Sequence, residues 1–368
     1  MKLEAQDKLR YARHFSLPEF GESAQLKLIE SKVLVVGAGG LGCPVLSYLA
    51  AAGVGTIGIV DDDLVSLSNL QRQVLYSESD LELRKVEVAA EKLRELNSSI
   101  QVVEHSVRFA AENARELVAQ YQLVLDCSDN FTTRYLINDA CVLEGKPFVF
   151  AAINRFEGQL AVFNLNSKAP TYRCIFPKAP PADAIPNCAE AGVLGVLPGV
   201  VGALQANEAI KVLADLGDVL SGKMLCFDAL RAKFQVIELK RNEKYATVNE
   251  IIVEGDSCMS LFKSYREISP SELHTMIPTE QVQLVDVREP FEHAVCNLGG
   301  DFIPLGQLES NLDRISRDKK VIFICHHGVR SKRAIDLIEQ QLGLTNLYNL
   351  TGGIDAWARD VDPEMPKY

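Results

Sequence analysis

Short apolar runs rich in β-branched residues alternate with longer amphipathic runs between residues 32 and 152. Short runs of this kind are typical of buried strands, whereas apolar positions that recur every three or four residues are typical of helices. The alternation predicts βαβ units and a mostly parallel sheet covered by helices on both faces, in the α/β class. The predicted strands are 32–36, 56–61, 100–107, 123–127 and 148–152, and the predicted helices are 41–52, 81–97, 112–119 and 131–144.

The pattern continues beyond residue 152 with one interruption. Further strands are predicted at 157–165 and 223–239, with a helix at 199–216 between them. The stretch 170–198 shows neither period, so we expect a long loop, a kind of segment that is functional or disordered in compact domains.

A second βα pattern begins near residue 266 and predicts a smaller α/β domain. Its strands are predicted at 282–287, 321–325 and 347–350, with a helix at 330–342. The residues that remain are enough for an independent domain. We therefore expect a first domain at 1–245, a linker at 246–265 and a second domain at 266–368.

Composition and charge exclude several classes of protein. Hydrophobic residues make up 47% and charged residues 24% of the 368 positions, as in ordinary globular proteins. The net charge of −11 disfavours binding to nucleic acid or to anionic membranes. No apolar run approaches the roughly 20 residues of a membrane-spanning helix, and the acidic start lacks a secretory apolar core, so we expect a cytoplasmic protein. The nine cysteines contain no C-x-x-C pair and predict reduced thiols, not a disulfide framework.

A glycine-rich sequence directly follows the first predicted strand. Gly37, Gly39 and Gly42 satisfy the pattern G-x-G-x-x-G, Gly40 lies among them, and the next strand ends at Asp61. In Rossmann-like folds such glycines allow the backbone to approach a phosphate at a helix N-terminus, while the acid binds ribose hydroxyls. The pattern predicts a nucleotide site, with a dinucleotide oxidoreductase as one alternative and a tight turn without ligand as another.

Polar and cationic residues beyond Asp61 favour a triphosphate over a nicotinamide. Arg72 follows the second strand, and Lys85 lies on the next helix. Clustered cations stabilise phosphate charge, which hydride transfer does not require. Asp129 follows the fourth strand at the edge where ligands of such folds bind, and it could hold Mg²⁺. The set predicts an ATP site.

These motifs resemble the MoeB/ThiF family, relatives of ubiquitin-activating enzymes, over about residues 5–240. The resemblance rests on the glycine loop, the run 66–73, the pair Asp129-Asn130 and the run 187–194. It implies ATP-dependent adenylylation of the C-terminal glycine of a ubiquitin-fold sulfur carrier, similar to MoaD or ThiS. It also implies a homodimer in which Arg13 reaches the ATP of the partner copy. The implied nucleotide and magnesium contacts are Gly37, Gly39, Gly40, Gly42, Asp61, Asp63, Asn69, Arg72, Lys85, Asp129 and Asn130.

Many members of that family hold a structural zinc with two C-x-x-C pairs, which this chain lacks. The position of the first pair retains only Cys174, and the region 240–258 contains only Cys258. Because tetrahedral zinc takes four ligands, we expect no zinc site. We interpret Cys174 as a small buried hydrophobe.

Cys188 lies in the irregular segment, at the position where members of the family place a thiol near the activated carboxylate. It could accept the acyl group or resolve a disulfide with the sulfur donor. Some family members adenylylate without a covalent intermediate, so both interpretations of Cys188 stay open.

Cys325 ends an apolar strand and is followed by Gly328 and by Arg330 at a helix start. Backbone N–H groups curled around the sulfur, together with the helix dipole, would stabilise a thiolate or persulfide. The predicted persulfide loop comprises Cys325, His326, His327, Gly328, Val329 and Arg330.

The segment 266–363 resembles a rhodanese, a sulfurtransferase domain. The resemblance includes the runs 284–292, 302–306 and 352–357, and the loop 298–301 departs from the family pattern. A phosphatase loop of the C-x5-R type is the alternative for Cys325 and Arg330.

The two resemblances together imply an enzyme that adenylylates a sulfur carrier and then delivers persulfide sulfur to it as a thiocarboxylate. Thiosulfate or a cysteine desulfurase is the expected sulfur donor. Molybdopterin synthesis is the expected pathway, while thiamine synthesis, cysteine synthesis and tRNA thiolation use the same chemistry and stay open. A dinucleotide oxidoreductase and a non-catalytic scaffold for a ubiquitin-like protein are the alternatives from other classes.

Overall fold

The computed structural model describes residues 3–180, 192–252, 265–279 and 281–366. The chain divides into two compact units, Met1–Met259 and Ser260–Tyr368, and the division lies inside the expected linker. Ala246 is buried, and the backbone N–H of Ile252 donates to a carboxylate oxygen of Asp139 at 3.1 Å. The packed part of the first unit therefore continues past residue 245, as far as residue 252.

The first unit contains an eight-stranded sheet with the strand order β3-β2-β1-β4-β5-β6-β7-β8. Strands β1 to β5 pair in parallel, and β6 to β8 add to the edge in antiparallel pairs. This confirms the α/β class with a mostly parallel sheet. The strands are β1 Lys32–Val36, β2 Thr56–Val60, β3 Gln101–His105, β4 Leu123–Asp126, β5 Phe148–Asn154, β6 Glu157–Phe163, β7 Lys223–Asp228 and β8 Lys233–Glu238.

The central strand β1 is buried on both faces. Val33 and Val35 pack into one core cluster, and Leu34 and Val36 pack into the other. A strand buried on both faces reads as a continuous apolar run, which is why this strand was predictable to the residue.

Helices cover the two faces of this sheet. Helices α3, α4, α5 and α9 contribute to one core cluster, and α6 and α7 contribute to the other. The helices are α1 Ala5–Arg10, α2 Ala12–Phe15, α3 Gly21–Glu30, α4 Gly42–Ala52, α5 Lys85–Leu96, α6 Ala114–Ala119, α7 Phe131–Leu143, α8 Tyr172–Ile175 and α9 Val196–Ala214, with short 3₁₀ turns at Leu67–Asn69 and Glu78–Asp80.

The expectation of one loop over 170–198 is wrong at both ends. Helix α8 lies inside this stretch, and α9 begins at Val196. The side chain of Tyr172 is buried against Phe150 and Phe163, so packing stabilises a helix too short to show a period. Residues 181–191, with Cys188 among them, lie outside the described residues.

The second unit contains a five-stranded sheet with the order β11-β10-β12-β13-β9, in which every described pair is parallel. Phe323 packs into the core cluster on one face, and Ile322 and Ile324 pack into the cluster on the other. Its elements are β9 Glu267–Ile268, α10 Pro270–Met276, β10 Val282–Asp286, α11 Pro290–Val295, β11 Asp301–Phe302, β12 Lys320–Ile324, α12 Val329–Leu342, β13 Leu347–Leu350 and α13 Gly353–Asp360, with 3₁₀ turns at Ile277–Thr279 and Leu305–Arg314. Within the described residues, no helix is both long enough and apolar enough to span a membrane.

A buried ion pair joins α7 to α8, and its loss should destabilise the first unit. The guanidinium of Arg173 donates two hydrogen bonds to Asp139, at 2.6 and 2.8 Å, and both side chains are buried. Removing one partner of a buried pair leaves an uncompensated charge and costs about 3–5 kcal/mol. We expect Arg173→Ala to lower the urea midpoint of the first unit, while the exposed Arg231→Ala leaves it unchanged. Equal midpoints for the two variants would show that this pair does not hold α8.

Candidate active sites

The first site lies at the carboxyl edge of the parallel strands, where β1 passes into α4. Gly37 adopts a φ of +98°, and a Cβ atom there would lie 2.7 Å from the carbonyl oxygen of Cys127. A Cβ atom on Gly42 would lie 2.1 Å from the carbonyl oxygen of Gly37. Only glycine fits these two positions, because Gly37 lies directly against the chain that follows β4 and Gly42 lies directly against Gly37. The loop thereby presents bare backbone at the start of a helix, where phosphates bind.

Asp61 follows β2 and holds the glycine loop in place. Its carboxylate accepts hydrogen bonds from the N–H groups of Ala38, at 2.8 Å, and Asp63, at 2.9 Å. Burial raises the pKa of Asp61, and the Lys85 ammonium and these two N–H groups counteract the rise. The predicted ribose-binding acid therefore also has a structural role in the loop.

Lys85 begins α5 and lies beside Asp61, where the sequence predicts a phosphate contact. The ammonium is buried and donates to the carboxylate of Asp63 at 2.7 Å. The structure therefore brings Asp61, Asp63 and Lys85 together at the edge of the sheet, with the cation paired to a carboxylate.

The segment 67–73 crosses in front of the glycine loop. The Cγ atom of Arg72 is 3.6 Å from the position of a Cβ on Gly40, and Nε2 of Gln73 is equally close to that of Gly39. The Arg72 guanidinium donates to the Ser68 carbonyl at 2.9 Å, and the Asn69 side chain caps its own 3₁₀ turn. Both predicted side chains are thus held locally, at the mouth of the loop.

Gln73 is the residue of this site that the sequence analysis included in a motif without giving it a role. Its side chain is buried, and its Oε1 atom has no hydrogen-bond partner among the described residues. The position of Gln73 in the run 66–73 was the sequence signal that could have identified it as a site residue. Burial of the Gln73 amide could not be predicted, because it depends on the crossing of that run over Gly39.

Asp129 and Asn130 follow β4 and are exposed at the same edge. The Asn130 side chain accepts from the Thr133 N–H at 2.9 Å and so caps α7, and its amide donates to Asp129 at 3.4 Å. Oxygen atoms of Asp61, Asp62 and Asp63 also lie within 4.8 Å of one another. Carboxylates at the edge of a phosphate-binding loop are the ligands that Mg²⁺ prefers, so the residues present fit this ion.

Arg13 does not lie at the glycine loop of its own chain. It is exposed on α2, and Tyr11 beside it contacts Gly53 at the end of α4 opposite to the loop. Its predicted role, in the site of a second copy, stays a prediction.

Cys174 is buried, as interpreted from the sequence. Its sulfur accepts from the Thr171 N–H at 3.4 Å and is 3.5 Å from the Asn242 carbonyl, while the Thr171 hydroxyl donates to the Tyr245 carbonyl at 3.3 Å. Hydrogen bonds therefore join residues 171–174 to residues 242–245. Cys258 lies outside the described residues, so the expected absence of zinc stays a prediction.

The second site lies where β12 passes into α12. Gly328 adopts a φ of +94°, and its N–H donates to the Cys325 sulfur at 3.1 Å. The Ser331 hydroxyl is 3.3 Å from the same sulfur and donates to Asn349 at 2.5 Å. The sulfur thus accepts from the Gly328 N–H and lies against the Ser331 hydroxyl, and only 1% of Cys325 is exposed. Neither Ser331 nor Asn349 was predicted as a site residue. Ser331 lies just beyond the predicted loop, and Asn349 reaches it from β13, which no local sequence pattern indicates.

Arg330 is held by Glu292, which sequence analysis quoted within a motif without a role. Its guanidinium donates to both oxygens of that carboxylate, and both side chains are largely buried. Four residues separate Cys325 from Arg330, one fewer than C-x5-R requires, so the phosphatase alternative is wrong on its spacing.

His326 and His327 follow the cysteine and differ in environment. Val329 and His327 are exposed, whereas His326 is half-buried. Burial, reinforced by the neighbouring His327, lowers the pKa of His326 to about 4. The imidazole of His326 is therefore neutral at pH 7.

The folds and the two sites define a class of protein: a nucleotide-binding α/β unit fused to a unit that cradles a strand-end cysteine. Comparison with known proteins agrees, since the ThiF family pattern matches residues 11–248 and the rhodanese-like domain pattern matches residues 269–360. The chain belongs to the ThiF family and carries a rhodanese-like domain after it.

Relatives whose names give both activities are similar to nearly the whole chain. The chain is 40% identical to adenylyltransferase and sulfurtransferase MOCS3-1 of Zea mays, covering 98% of this chain and 83% of that protein. It is 39% identical to the probable adenylyltransferase/sulfurtransferase MoeZ of Mycobacterium tuberculosis, covering 100% and 96%. The crystal structure of E. coli MccB with ATP has a similar fold, with a TM-score of 0.57 and 24% identity over 65% of this chain and 73% of that chain. The protein is an adenylyltransferase and sulfurtransferase.

Replacement of Gly37 should impair nucleotide binding. We expect Gly37→Ala to weaken ATP binding by at least about tenfold, since even 1.4 kcal/mol of strain has that effect. Equilibrium binding of ATP to the full chain measures this. The control is Gly199→Ala, where a Cβ atom meets nothing within 4 Å. Unchanged affinity in Gly37→Ala would show that the loop does not bind the nucleotide.

Proposed function

We propose that this enzyme adenylylates the C-terminal glycine carboxylate of a small ubiquitin-fold sulfur carrier and then converts it to a thiocarboxylate. The observation that supports this most is the presence, on one chain, of a glycine loop at a helix start and of a cradled Cys325 sulfur. The pathway we propose is molybdopterin synthesis. The thiamine, cysteine and tRNA thiolation pathways are the alternatives, and the co-purifying carrier identifies which one applies.

In the first step, the carrier carboxylate attacks the α-phosphorus of ATP, and pyrophosphate leaves. Catalysis of this step consists mainly of positioning and of stabilising phosphate charge. The N–H groups of the glycine loop, Arg72 and Lys85 supply positive charge, with Lys85 exchanging part of its contact with Asp63 for phosphate. Bound Mg²⁺, held by Asp129, would neutralise phosphate charge further.

In the second step, the terminal sulfur of a persulfide on Cys325 attacks the carbonyl carbon of the acyl adenylate, and AMP leaves. The Gly328 N–H, which donates to the Cys325 sulfur, stabilises the anionic persulfide before the attack, and the adjacent Ser331 hydroxyl can turn from Asn349 to donate as well. Thiosulfate, releasing sulfite, or the persulfide of a cysteine desulfurase charges Cys325. A second thiol then attacks the Cys325 sulfur of the acyl disulfide, which releases the thiocarboxylate and leaves that thiol in a disulfide with Cys325. A cellular thiol reductant reduces this disulfide before the next turnover, and Cys188 is one candidate for the attacking thiol.

The enzyme acts as a homodimer in the cytoplasm under this proposal. Arg13 would stabilise phosphate charge in the site of the partner copy. Its exposure at the far end of α4 from its own glycine loop supports a role outside its own site.

Loss of charge at the first site should abolish the first step. We expect Arg72→Ala and Asp129→Ala each to lower carrier-dependent exchange of pyrophosphate into ATP by about 10²–10³-fold, the usual effect of losing one transition-state contact. Arg94→Ala is the control, because Arg94 pairs with Glu104 away from the loop. Near-wild-type exchange in either site variant would overturn the assignment.

Loss of the Cys325 thiol should separate the two activities. We expect Cys325→Ala to lose thiosulfate sulfurtransferase activity and thiocarboxylate formation and to keep pyrophosphate exchange, because the sulfur and the ATP loop lie on different units. Cys296→Ala, another buried thiol of the second unit, is the control and should keep both activities.

Mass spectrometry places the transferred sulfur. After incubation with thiosulfate, the peptide that contains Cys325 should gain the mass of one sulfur atom, and Cys188→Ala should not change this. An adduct mainly on Cys188, or sulfur transfer that survives Cys325→Ala, would contradict the proposed division of roles.

A further inference from the structure

Three side chains with metal-ligating atoms meet at the mouth of the second site, and none of the proposed steps uses them. They are His326, His327 and Asp355. One ligand atom from each lies within 4.8 Å of the other two. His326 and Asp355 are half-buried and His327 is exposed, so the group is open to solvent on one side.

The backbone brings these residues together from two separate segments. The N–H groups of Ile354 and Asp355, at the start of α13, donate to the carbonyl oxygens of Cys325 and His326 at 2.9 and 3.2 Å. Gly353 makes this approach possible, since a Cβ atom there would lie 2.2 Å from the His326 oxygen. The backbone positions of the three residues are therefore fixed by the same contacts that hold the loop.

The chemistry of the set suits a first-row divalent metal ion. Two imidazoles and one carboxylate are typical ligands for Zn²⁺, Co²⁺ and related ions. Bonds of about 2.0–2.1 Å place tetrahedral ligand atoms about 3.3 Å apart, so each pair of ligand atoms has to approach by at most about 1.5 Å to hold an ion. The nearby Arg330 guanidinium is paired with the Glu292 carboxylate, which balances the positive charge of Arg330.

We propose that His326, His327 and Asp355 bind one first-row divalent cation, such as Zn²⁺, with a coordination position left open to solvent. Three protein ligands and an open position distinguish this exchangeable site from the closed four-ligand structural zinc site that we expect the first unit to lack. Two of the three ligands, His326 and His327, directly follow Cys325 in its loop, so a bound cation lies beside that loop. We therefore infer that it inhibits sulfur transfer, a consequence that rests on the proposed function, whereas metal binding itself does not.

Metal binding is tested on the full chain after treatment with a chelator. Co²⁺ is followed by its absorption, and Zn²⁺ by equilibrium dialysis. We expect His327→Ala and Asp355→Asn each to weaken binding of one equivalent by at least about tenfold, since even outer-shell partners of a metal have that effect. His327 is exposed, so its loss should not unfold the unit. His293→Ala, a histidine elsewhere in the same unit, is the matched control and should bind as the wild type does.

A further variant distinguishes metal binding at this site from metal binding by the Cys325 thiol. Cys325→Ala should still bind one equivalent of the metal ion. Wild-type protein with Co²⁺ should lack the charge-transfer absorption of a cobalt–thiolate bond. Equal binding by wild type and His327→Ala, or loss of binding in Cys325→Ala together with that absorption, would overturn the proposal.

The effect on activity is read separately, as the ratio of thiosulfate sulfurtransferase rates with and without Zn²⁺. We expect Zn²⁺ at saturation to lower the wild-type rate by at least about tenfold and to have a smaller effect on His327→Ala. Equal ratios in the two proteins would overturn the inhibitory role while metal binding stands. Absence of sulfurtransferase activity in the metal-free wild type would instead contradict the proposed function.

Discussion

Both units depend on the passage of the chain from the end of a buried parallel strand directly into a helix. At Gly37 and at Gly328 the backbone has a φ above +90°, a region that L side chains rarely adopt. Without a side chain at the turn, the backbone N–H groups at the helix start form an open point of partial positive charge, and at the second turn the Gly328 N–H donates to the Cys325 sulfur. Such a point stabilises an anion. In the first unit it suits a phosphate, and in the second it faces the Cys325 sulfur, so one backbone solution serves two chemistries.

Ion pairs fix the side chains around these turns. Lys85 is held by Asp63, and Arg330 is held by Glu292. Partly buried pairs of this kind add little net stability, because desolvation offsets most of the attraction, but removal of one partner is costly. The cations near each turn therefore have defined positions in the structure.

Much of the fold could be predicted because it follows from local pattern. The β1 run and the glycine spacing after Gly37 are contiguous in sequence, as are the β12 run and Cys325. Strands β9 and β11 could not be predicted, because two residues carry no period. The side chains around the second site could not be predicted from a sequence pattern. Asn349 reaches the Cys325 loop through the parallel pairing of β12 with β13, and Asp355 reaches it through backbone hydrogen bonds between distant segments. Such contacts depend on tertiary packing, which no local spacing encodes.

Joining the two sites on one chain has a kinetic consequence under the proposed function. An acyl adenylate is exposed to hydrolysis for as long as it waits for sulfur, so the competing rates of attack by water and by the Cys325 persulfide decide the yield. A covalent connection replaces the dilute encounter of two proteins with an effective concentration set by the connecting chain, about millimolar for short flexible connections. The persulfide does not depend on the covalent connection in this way, because burial of Cys325 already limits the reaction of its persulfide with solvent. The fusion therefore protects the shorter-lived of the two intermediates, and the loop after β12 protects the other.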